Sequence, residues 1–298
     1  MREVIAKPSV TRKILKDYNI KLNKKLGQNM LVDRNILDII VEASQFNEND
    51  LVVEIGPGIG SLTQIILNNL SGGLLLAIEK DTRFIKILKE LFAGDEQLEI
   101  VNRDVLEIDW CSFLSEERED YNQVKVTANL PYYITSPTIM GLLESDVFFS
   151  RLVFLVQKEV AERIVAGPGT KKYGSLSVAV QYYGKPEIIH CVSPAVFYPR
   201  PRVDSCIISV KPFRENPYQV IYEDFFFRVV KTIFQQRRKN IKNAFLKGSI
   251  FNIKKDLIIK ALEQCGIKRT TRGEKLLPEE MMELSNILWQ LKKESSDN

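Results

Sequence analysis

Between Leu51 and Gln157 the chain alternates short apolar runs with stretches that have the composition of helices. The apolar runs are Leu51–Ile55, Leu74–Glu79, Leu98–Val101, Val124–Asn129 and Leu152–Gln157. Continuous apolar runs of this length, separated by helices, are typical of parallel strands buried on both faces of a sheet. The pattern therefore predicts an α/β fold built on a Rossmann-like parallel sheet.

The remainder of the chain departs from this alternation. Three further apolar runs follow one another too closely for crossover helices, so we expect them to add antiparallel strands at the sheet edge. They are Ser177–Tyr183, Glu187–Val192 and Ser205–Val210. After Pro212, apolar residues at helical spacing predict a small all-helical domain whose core contains the stretch from Phe225 to Phe234.

Three segments follow from these patterns. We expect a basic N-terminal segment over residues 1–25, an α/β sheet domain over 26–212 and a helical domain over 213–298. Two domains are also what a chain of 298 residues is expected to form.

Composition removes several classes of function. The formal net charge of +4 permits an RNA partner without requiring one. His190 is the single histidine, and no two of the four cysteines form a C-x-x-C pair, so we expect no metal site and reduced thiols. The sequence has no apolar run of the kind found in signal peptides or membrane spans, which predicts a cytoplasmic protein.

A glycine-rich turn follows the first apolar run, in Glu54-Ile55-Gly56-Pro57-Gly58-Ile59-Gly60. Glycines here let a ligand approach bare backbone, and Glu79 ends the next apolar run, where a carboxylate can accept both hydroxyls of a ribose. The pair indicates an adenosine-containing cofactor. NAD is the weaker candidate, because the third glycine of the dinucleotide pattern would fall at Ser61. A plain tight turn and a solvated strand end are the alternatives.

Asp104 closely follows the third apolar run. At the end of a third strand its carboxylate can reach the adenine amino group of the same ligand, since ligands of open α/β sheets bind outside the carboxyl ends of the strands. The alternative for Asp104 is the N-cap of a short helix.

The fourth run ends in Asn129-Leu130-Pro131-Tyr132. The Asn129 side-chain oxygen and the Leu130 carbonyl can accept hydrogen bonds from an exocyclic amine, which aims the amine lone pair at a methyl sulfonium. Since that lone pair is delocalised into the base, positioning and electrostatics supply the rate, and no side-chain base is required. Tyr132 can stack on the base.

With its cofactor loop, this string resembles the adenine-N6 dimethyltransferase family of ribosomal RNA, and within it the small-subunit, kasugamycin-resistance type. The resemblance runs almost end to end. It includes Leu26-Gly27-Gln28-Asn29-Met30-Leu31, the glycine turn, Asn129 to Tyr132, and Pro194 through Phe197 to Ser205. Met30 departs from the family, which more often has Phe, but Met is also apolar and adaptable.

The resemblance implies roles for individual residues. It implies that S-adenosylmethionine is contacted by Asn29, Leu31, Gly56, Glu79, Asp104 and Asn129, with Asn29 and Leu31 closing over it. It also implies that the target adenine faces Asn129, Leu130, Pro131 and Tyr132, with Phe197 stacked on its other side. Such a base has to leave its helix or loop.

RNA contact is predicted from basic residues. The densest cluster lies in Gln235 to Asn243, and phosphate contacts of this kind give affinity without reading sequence. The candidate phosphate contacts are Lys24, Lys25, Arg200, Arg202, Arg237, Arg238, Lys239 and Lys242. A solvated helix face is the alternative for the cluster.

The partners implied are the small ribosomal subunit and its rRNA, bound by a monomer. Two alternatives share much of this pattern: a large-subunit methyltransferase of the erythromycin-resistance type, and an assembly factor with little or no catalysis. A DNA adenine methyltransferase is less consistent, because its motif commonly opens with Asp rather than Asn.

Overall fold

The computed structural model describes residues 3–23, 27–114, 120–236, 239–247 and 253–296. Within these ranges the strands are β1 (Met30–Leu31), β2 (Leu51–Ile55), β3 (Leu74–Glu79), β4 (Leu98–Asn102), β5 (Val124–Asn129), β6 (Arg151–Gln157), β7 (Gly184–Val192), β8 (Phe197–Tyr198) and β9 (Ser205–Pro212).

The helices of the same ranges are α1 (Pro8–Asp17), α2 (Arg34–Ser44), α3 (Ser61–Asn69), α4 (Thr82–Leu91), α5 (Trp110–Phe113), α6 (Thr135–Leu143), α7 (Lys158–Ile164), α8 (Ser175–Tyr183), α9 (Glu223–Gln235), α10 (Ile241–Lys247), α11 (Lys255–Gln264) and α12 (Pro278–Ser296). None of them is both long enough and apolar enough to cross a membrane.

Seven strands form one sheet in the order β4-β3-β2-β5-β6-β9-β7. The strands from β4 to β6 pair in parallel, and β9 pairs with β6 in antiparallel. The predicted fold class, a Rossmann-like α/β sheet with antiparallel edge strands and a helical C-terminal part, is confirmed. Every residue of β2 is buried, as expected for a strand covered on both faces.

The order of the sheet fixes where a ligand can bind. The chain adds β3 and β4 on one side of β2 and then returns to place β5 on the other side. Where the direction of addition reverses, the loops leaving neighbouring strands part and open a crevice at their carboxyl ends. The crevice beyond β2 and β5 is therefore the expected place for the site.

The predicted strand over Ser177–Tyr183 is wrong, because these residues lie in α8. Apolar side chains alternate along the segment, at Leu176, Val178 and Val180, which is the pattern of a strand. In the structure Val178 and Tyr182, four residues apart, lie on one helix face and pack into a helical core. The Ser177 hydroxyl also accepts the Gly174 N–H and donates to the Arg163 carbonyl.

The chain divides into two compact units. One contains Met1–Ala161 and Lys185–Arg214, and the other contains Glu162–Gly184 and Glu215–Asn298. The larger segment of the second unit, Glu215–Asn298, begins close to the expected boundary at residue 213. The second unit also includes Glu162–Gly184, which contains α8. Its core joins α8, α9, α11 and α12 through buried aromatic and aliphatic side chains, among them Phe225 and Phe226.

The basic N-terminal segment contains a helix that belongs to the first unit. Helix α1 begins with Pro8, which is favoured at a first helical position. Val10, Ile14 and Leu15 are buried in a cluster with Phe84 of α4. The apolar face of α1 thus anchors the helix, and its basic face is left exposed.

Two of the cysteines are paired, contrary to the expectation of reduced thiols. Cys191 on β7 and Cys206 on β9 form a disulfide between neighbouring strands. Fifteen residues separate them in sequence, and only the strand order brings them together. Cys111 and Cys265 are free.

A buried ion pair lies at the amino ends of the central strands β2 and β5, away from the crevice at their carboxyl ends. Lys125 Nζ lies 2.7 Å from Asp50 Oδ2, with the two side chains 3% and 0% exposed. The ammonium also donates to the Gln45 carbonyl, and the carboxylate accepts the Asn47 N–H at 2.6 Å. Removing one partner of such a pair leaves an uncompensated charge in the interior.

We expect Lys125→Met to lower the free energy of unfolding by about 3–5 kcal/mol, because Asp50 then lacks its counter-ion. Urea denaturation measures the change. Arg34→Met, which breaks the exposed pair between Arg34 and Asp38, is the matched control and should cost less than about 1 kcal/mol. Equal losses of unfolding free energy in the two variants would show that the buried pair contributes no more to stability than the exposed pair.

Candidate active site

The glycine turn leads from β2 into α3. Gly56, Gly58 and Gly60 all have positive φ, at 68°, 57° and 86°, in the region where residues with a Cβ are strained. A Cβ at Gly60 would also lie 2.5 Å from Phe92 Cε2, whereas nothing lies within 4 Å of a Cβ at Gly56. Gly60 is thus required for packing, and Gly56 leaves open backbone toward the crevice.

Glu79 ends β3 beside this turn. Its Oε2 accepts the Gly58 N–H at 3.1 Å, and its Oε1 accepts the Asp81 N–H at 2.8 Å. Burial raises the pKa of the Glu79 carboxyl, and these two N–H donors oppose the rise. A carboxylate held by one N–H on each oxygen keeps a fixed orientation and retains lone pairs for two ligand hydroxyls.

Glu54 is a second buried carboxyl, to which sequence analysis assigned no role. It lies on β2, lines the same crevice, and accepts a hydrogen bond from Thr63 Oγ1 at 2.6 Å. Burial raises the pKa of Glu54 to about 8, with the nearby Glu79 adding to the rise and Thr63 opposing it. At neutral pH the Glu54 carboxyl is therefore largely protonated.

Asp104 is an N-cap, the alternative that the sequence left open, while its contact with a ligand stays a prediction. Its Oδ1 accepts the Leu106 N–H at 3.1 Å, which caps the short helical turn after β4. Its Oδ2 lies 2.5 Å from Lys80 Nζ, and this ion pair lowers the pKa of Asp104. Lys80 follows Glu79 directly, so the ion pair joins the ends of β3 and β4.

A hydrogen bond joins the end of β5 to the segment before β1. Asn129 Nδ2 donates to the Asn29 carbonyl at 2.9 Å, and Asn29 Nδ2 donates to the Gly27 carbonyl at 3.2 Å. Gly27 has a φ of 62°, and a Cβ there would come within 3.3 Å of the Tyr132 backbone nitrogen. The hydrogen bond from Asn129 Nδ2 to the Asn29 carbonyl orients the Asn129 amide, so Oδ1 remains available as an acceptor.

All six expected cofactor contacts lie along one cleft of about 480 Å³. They are Asn29, Leu31, Gly56, Glu79, Asp104 and Asn129. Pro131 of the catalytic string lines the cleft as well, while Leu130 is buried beside it and donates its N–H to the Leu155 carbonyl at 3.3 Å.

The two expected stacking residues do not line this cleft. Tyr132 is half-buried and its hydroxyl lies 2.9 Å from Ser205 Oγ, with burial raising its pKa. Phe197 is 3% exposed and packs in an apolar cluster with Leu31. Side chains alternate between the two faces of a strand, so β8 directs Phe197 inward and Tyr198 outward. Stacking by Phe197 stays a prediction that requires its ring to leave this cluster.

Sequence analysis missed several residues of the cleft. Tyr133 is 60% exposed and lines it next to Pro131. Gln28 also lines it and donates from Nε2 to Asp81 Oδ2 at 3.3 Å, which ties the segment before β1 to α4. Tyr133 could have been predicted from its place directly after the catalytic string. The Gln28 contact spans 53 residues and depends on the fold.

The candidate RNA contacts fall into three groups. Lys24, Lys25, Arg237 and Arg238 lie outside the described residues. Arg200 and Arg202 are exposed in the segment between β8 and β9. In the second unit Lys239 is exposed and Lys242 is half-buried on α10. Their contacts with RNA stay predictions.

Known proteins resemble this chain in sequence and in fold. Residues 19–290 match the family described as ribosomal RNA adenine dimethylase. The chain belongs to this family. The predicted family is thereby confirmed, and the chain is an rRNA adenine dimethyltransferase.

Relatives in the ribosomal RNA adenine dimethylase family match the chain over nearly its whole length. Ribosomal RNA small subunit methyltransferase A of Halothermothrix orenii is 52% identical over 299 residues, which cover 100% of this chain and 99% of the relative. The protein of the same name from Alkaliphilus oremlandii is 44% identical over 284 residues, which cover 95% of this chain and 98% of the relative.

Solved structures agree with the fold. A dimethyladenosine transferase from Plasmodium falciparum has a TM-score of 0.72 at 25% identity, covering 85% of this chain and 94% of that one. The 23S rRNA methyltransferase ErmE has a TM-score of 0.67 at 23% identity, covering 88% and 100%. The ErmE likeness is one of fold alone.

We expect Glu54→Gln to flatten the pH dependence of stability. The folded pKa of about 8 lies above the unfolded value of 4.5, so folding retains a proton between these values and stability falls as pH rises through that window. One retained proton corresponds to about 1.4 kcal/mol per pH unit. Urea denaturation between about pH 5 and pH 8 measures the slope.

Glu99→Gln, at an exposed carboxylate on β4, is the control and should leave the slope as it is in the wild type. Glu79 also has a raised pKa, so Glu54→Gln should reduce the slope without abolishing it. A slope in Glu54→Gln equal to that of the wild type would contradict the buried, protonated carboxyl.

Proposed function

We propose that this enzyme transfers methyl groups from S-adenosylmethionine to N6 of two adjacent adenosines near the 3′ end of small-subunit (16S) rRNA, giving N6,N6-dimethyladenosines during ribosome biogenesis. The orientation of Asn129 carries the proposal. Its NH₂ group is engaged by the Asn29 carbonyl, so its oxygen is the atom offered to an amine in the cleft.

The residues of the cleft fit S-adenosylmethionine. The positive-φ glycines expose backbone at the end of β2, and Glu79 offers two oriented oxygens to ribose hydroxyls. Asp104, just after β4, can accept a hydrogen bond from the adenine amino group. That amino group has to share the Asp104 carboxylate with Lys80 or displace Lys80. The cofactor supplies an electrophilic methyl group on a cationic sulfur.

The chemistry left to the protein is positioning. The exocyclic amine of adenine is a poor nucleophile, because its lone pair is delocalised into the ring. Hydrogen bonds from that amine to Asn129 Oδ1 and the Leu130 carbonyl localise the lone pair and stabilise the positive charge that develops on nitrogen. Pro131 restricts the loop that carries both acceptors. Tyr132, and Phe197 after it leaves its cluster, complete the base site.

The small subunit is favoured over the large subunit by the relatives. Proteins named ribosomal RNA small subunit methyltransferase A are 52% and 44% identical over 100% and 95% of the chain, while ErmE is similar in fold only. A role in subunit assembly can coexist with methylation, since the residues of the cleft are complete. We further propose that the enzyme acts as a monomer in the cytoplasm.

We expect Asn129→Ala to lower turnover by about 100-fold or more, because the amine loses the acceptor that orients it. The assay is transfer of labelled methyl groups to unmethylated small subunits. Its matched control is Asn122→Ala, an exposed asparagine that donates to the Glu48 carbonyl away from the cleft and should retain full activity. Wild-type turnover in Asn129→Ala would refute the proposed role of the amide.

Binding of the cofactor should respond to a different residue. We expect Glu79→Ala to weaken binding of S-adenosylmethionine at least about tenfold, since a hydrogen-bonded charged acceptor is worth about 1.5–3 kcal/mol. Isothermal titration calorimetry measures the affinity, and Asn129→Ala should bind within a few-fold of the wild type. If the two variants lose affinity equally, the division between cofactor site and amine site is wrong.

A further inference from the structure

A second concave surface of about 430 Å³ lies in the first unit, formed by α1, the turn after it and β8. We call it the α1 groove. It is lined by Arg12, Leu15, Lys16, Asn19, Ile20, Lys21, Leu22, Tyr198 and Pro199. None of these residues took part in the site described so far.

The α1 groove carries three exposed cations. Arg12, Lys16 and Lys21 are exposed, and within the described residues no carboxylate forms an ion pair with any of them. Some other cations of the first unit are paired, as Lys80 is with Asp104 and Lys158 with Asp204. Three like charges around one concave surface favour a polyanionic ligand.

An aromatic ring is presented beside these cations. Tyr198 is 39% exposed, and the Arg12 guanidinium carbon lies 6.0 Å from the centroid of its ring. Cations next to an exposed aromatic face form the usual site for single-stranded nucleic acid, in which bases stack and phosphates are neutralised.

The α1 groove is rigidly supported. The buried face of α1 packs against α4, and Gln64 of α3 accepts the Ile5 N–H at 3.0 Å and donates to the Glu3 carbonyl at 3.0 Å. Arg12 Nε donates to the Pro8 carbonyl at 3.0 Å. Arg12 and Lys16 are therefore held on an ordered helix, and less conformational entropy is lost on binding.

One short ladder connects the groove with the cleft. Strand β1 pairs with β8, with Met30 opposite Tyr198 and Leu31 opposite Phe197. Met30 and Leu31 line the cleft, and Tyr198 lines the groove. Paired residues lie about 4.5–5.5 Å apart at Cα. When one base of an RNA strand occupies the cleft, its neighbouring nucleotides are therefore within reach of the groove.

We propose that the α1 groove binds the single-stranded RNA that flanks the target adenosine, with Tyr198 stacking on a flanking base and Arg12, Lys16 and Lys21 contacting its phosphates. The inference rests on the proposed function for the identity of the substrate. It adds a substrate-binding site outside the cleft and a specific role for the N-terminal helix.

The test compares removal of charges that line the α1 groove with removal of nearby charges that do not. The variant Arg12→Gln/Lys16→Gln/Lys21→Gln removes the groove cations. Lys7→Gln/Lys13→Gln removes two exposed charges that do not line the groove and serves as the control. Binding of a labelled single-stranded oligonucleotide with two adjacent adenosines is measured by fluorescence anisotropy over a range of salt concentrations. Methylation of small subunits is measured in parallel.

We expect the groove variant to bind the oligonucleotide at least about tenfold more weakly and to lose about 2 units of salt slope, since each phosphate contact on a single strand contributes about 0.7. KM for the subunit should rise with kcat unchanged, and binding of S-adenosylmethionine should be unaltered. Equal RNA binding and equal salt slopes in the groove variant and the control would overturn the proposal.

A second measurement uses the unaltered protein. RNA with 4-thiouridine next to the two adenosines is cross-linked, and the linked peptides are identified by mass spectrometry. Cross-links to the peptide with Tyr198 or to α1 support the proposal, and cross-links only elsewhere overturn it. Both readouts measure binding, so wild-type protein that binds RNA through the groove but methylates nothing would instead refute the proposed function.

Discussion

The reversal of strand order at β2 is the constraint on which the site depends. Because β3 lies on one side of β2 and β5 on the other, the carboxyl ends of three parallel strands meet at one crevice. They deliver the glycine turn, Glu79 and Asn129, which are far apart in sequence. The segment before β1 then crosses this edge, and the Asn29 carbonyl fixes the Asn129 amide.

Two buried carboxyls give the crevice its electrostatic character. Glu54 and Glu79 both have raised pKa values, with burial as the main cause, and Glu79 contributes to the rise at Glu54. A carboxyl that is costly to ionise in the free protein is stabilised as the anion by a cationic ligand. A sulfonium cofactor would meet this condition. The hydrogen bond from Thr63 to Glu54 also joins α3 to β2 across the glycine turn.

Much of the fold and of the cleft could be predicted because local pattern and topology agree. The five parallel strands are apolar runs with clear ends, and the strand ends carry the polar residues. Prediction failed where the conformation of a segment or the direction of a side chain depends on tertiary contacts. Alternating Leu176, Val178 and Val180 gave a false strand, because the segment forms α8, from which Val178 packs into the helical core of the second unit. The inward direction of Phe197 and the Cys191–Cys206 pair depend on strand pairing that no local pattern contains.

The measurement that tests the account most directly is mass-spectrometric mapping of methylated nucleosides after incubating the protein and S-adenosylmethionine with unmethylated small subunits, large subunits and naked rRNA. The account predicts N6,N6-dimethyladenosine at two adjacent positions near the 3′ end of the small-subunit RNA, and none in large subunits. Modification confined to large-subunit RNA, or binding to small subunits without any methyl transfer, would contradict it.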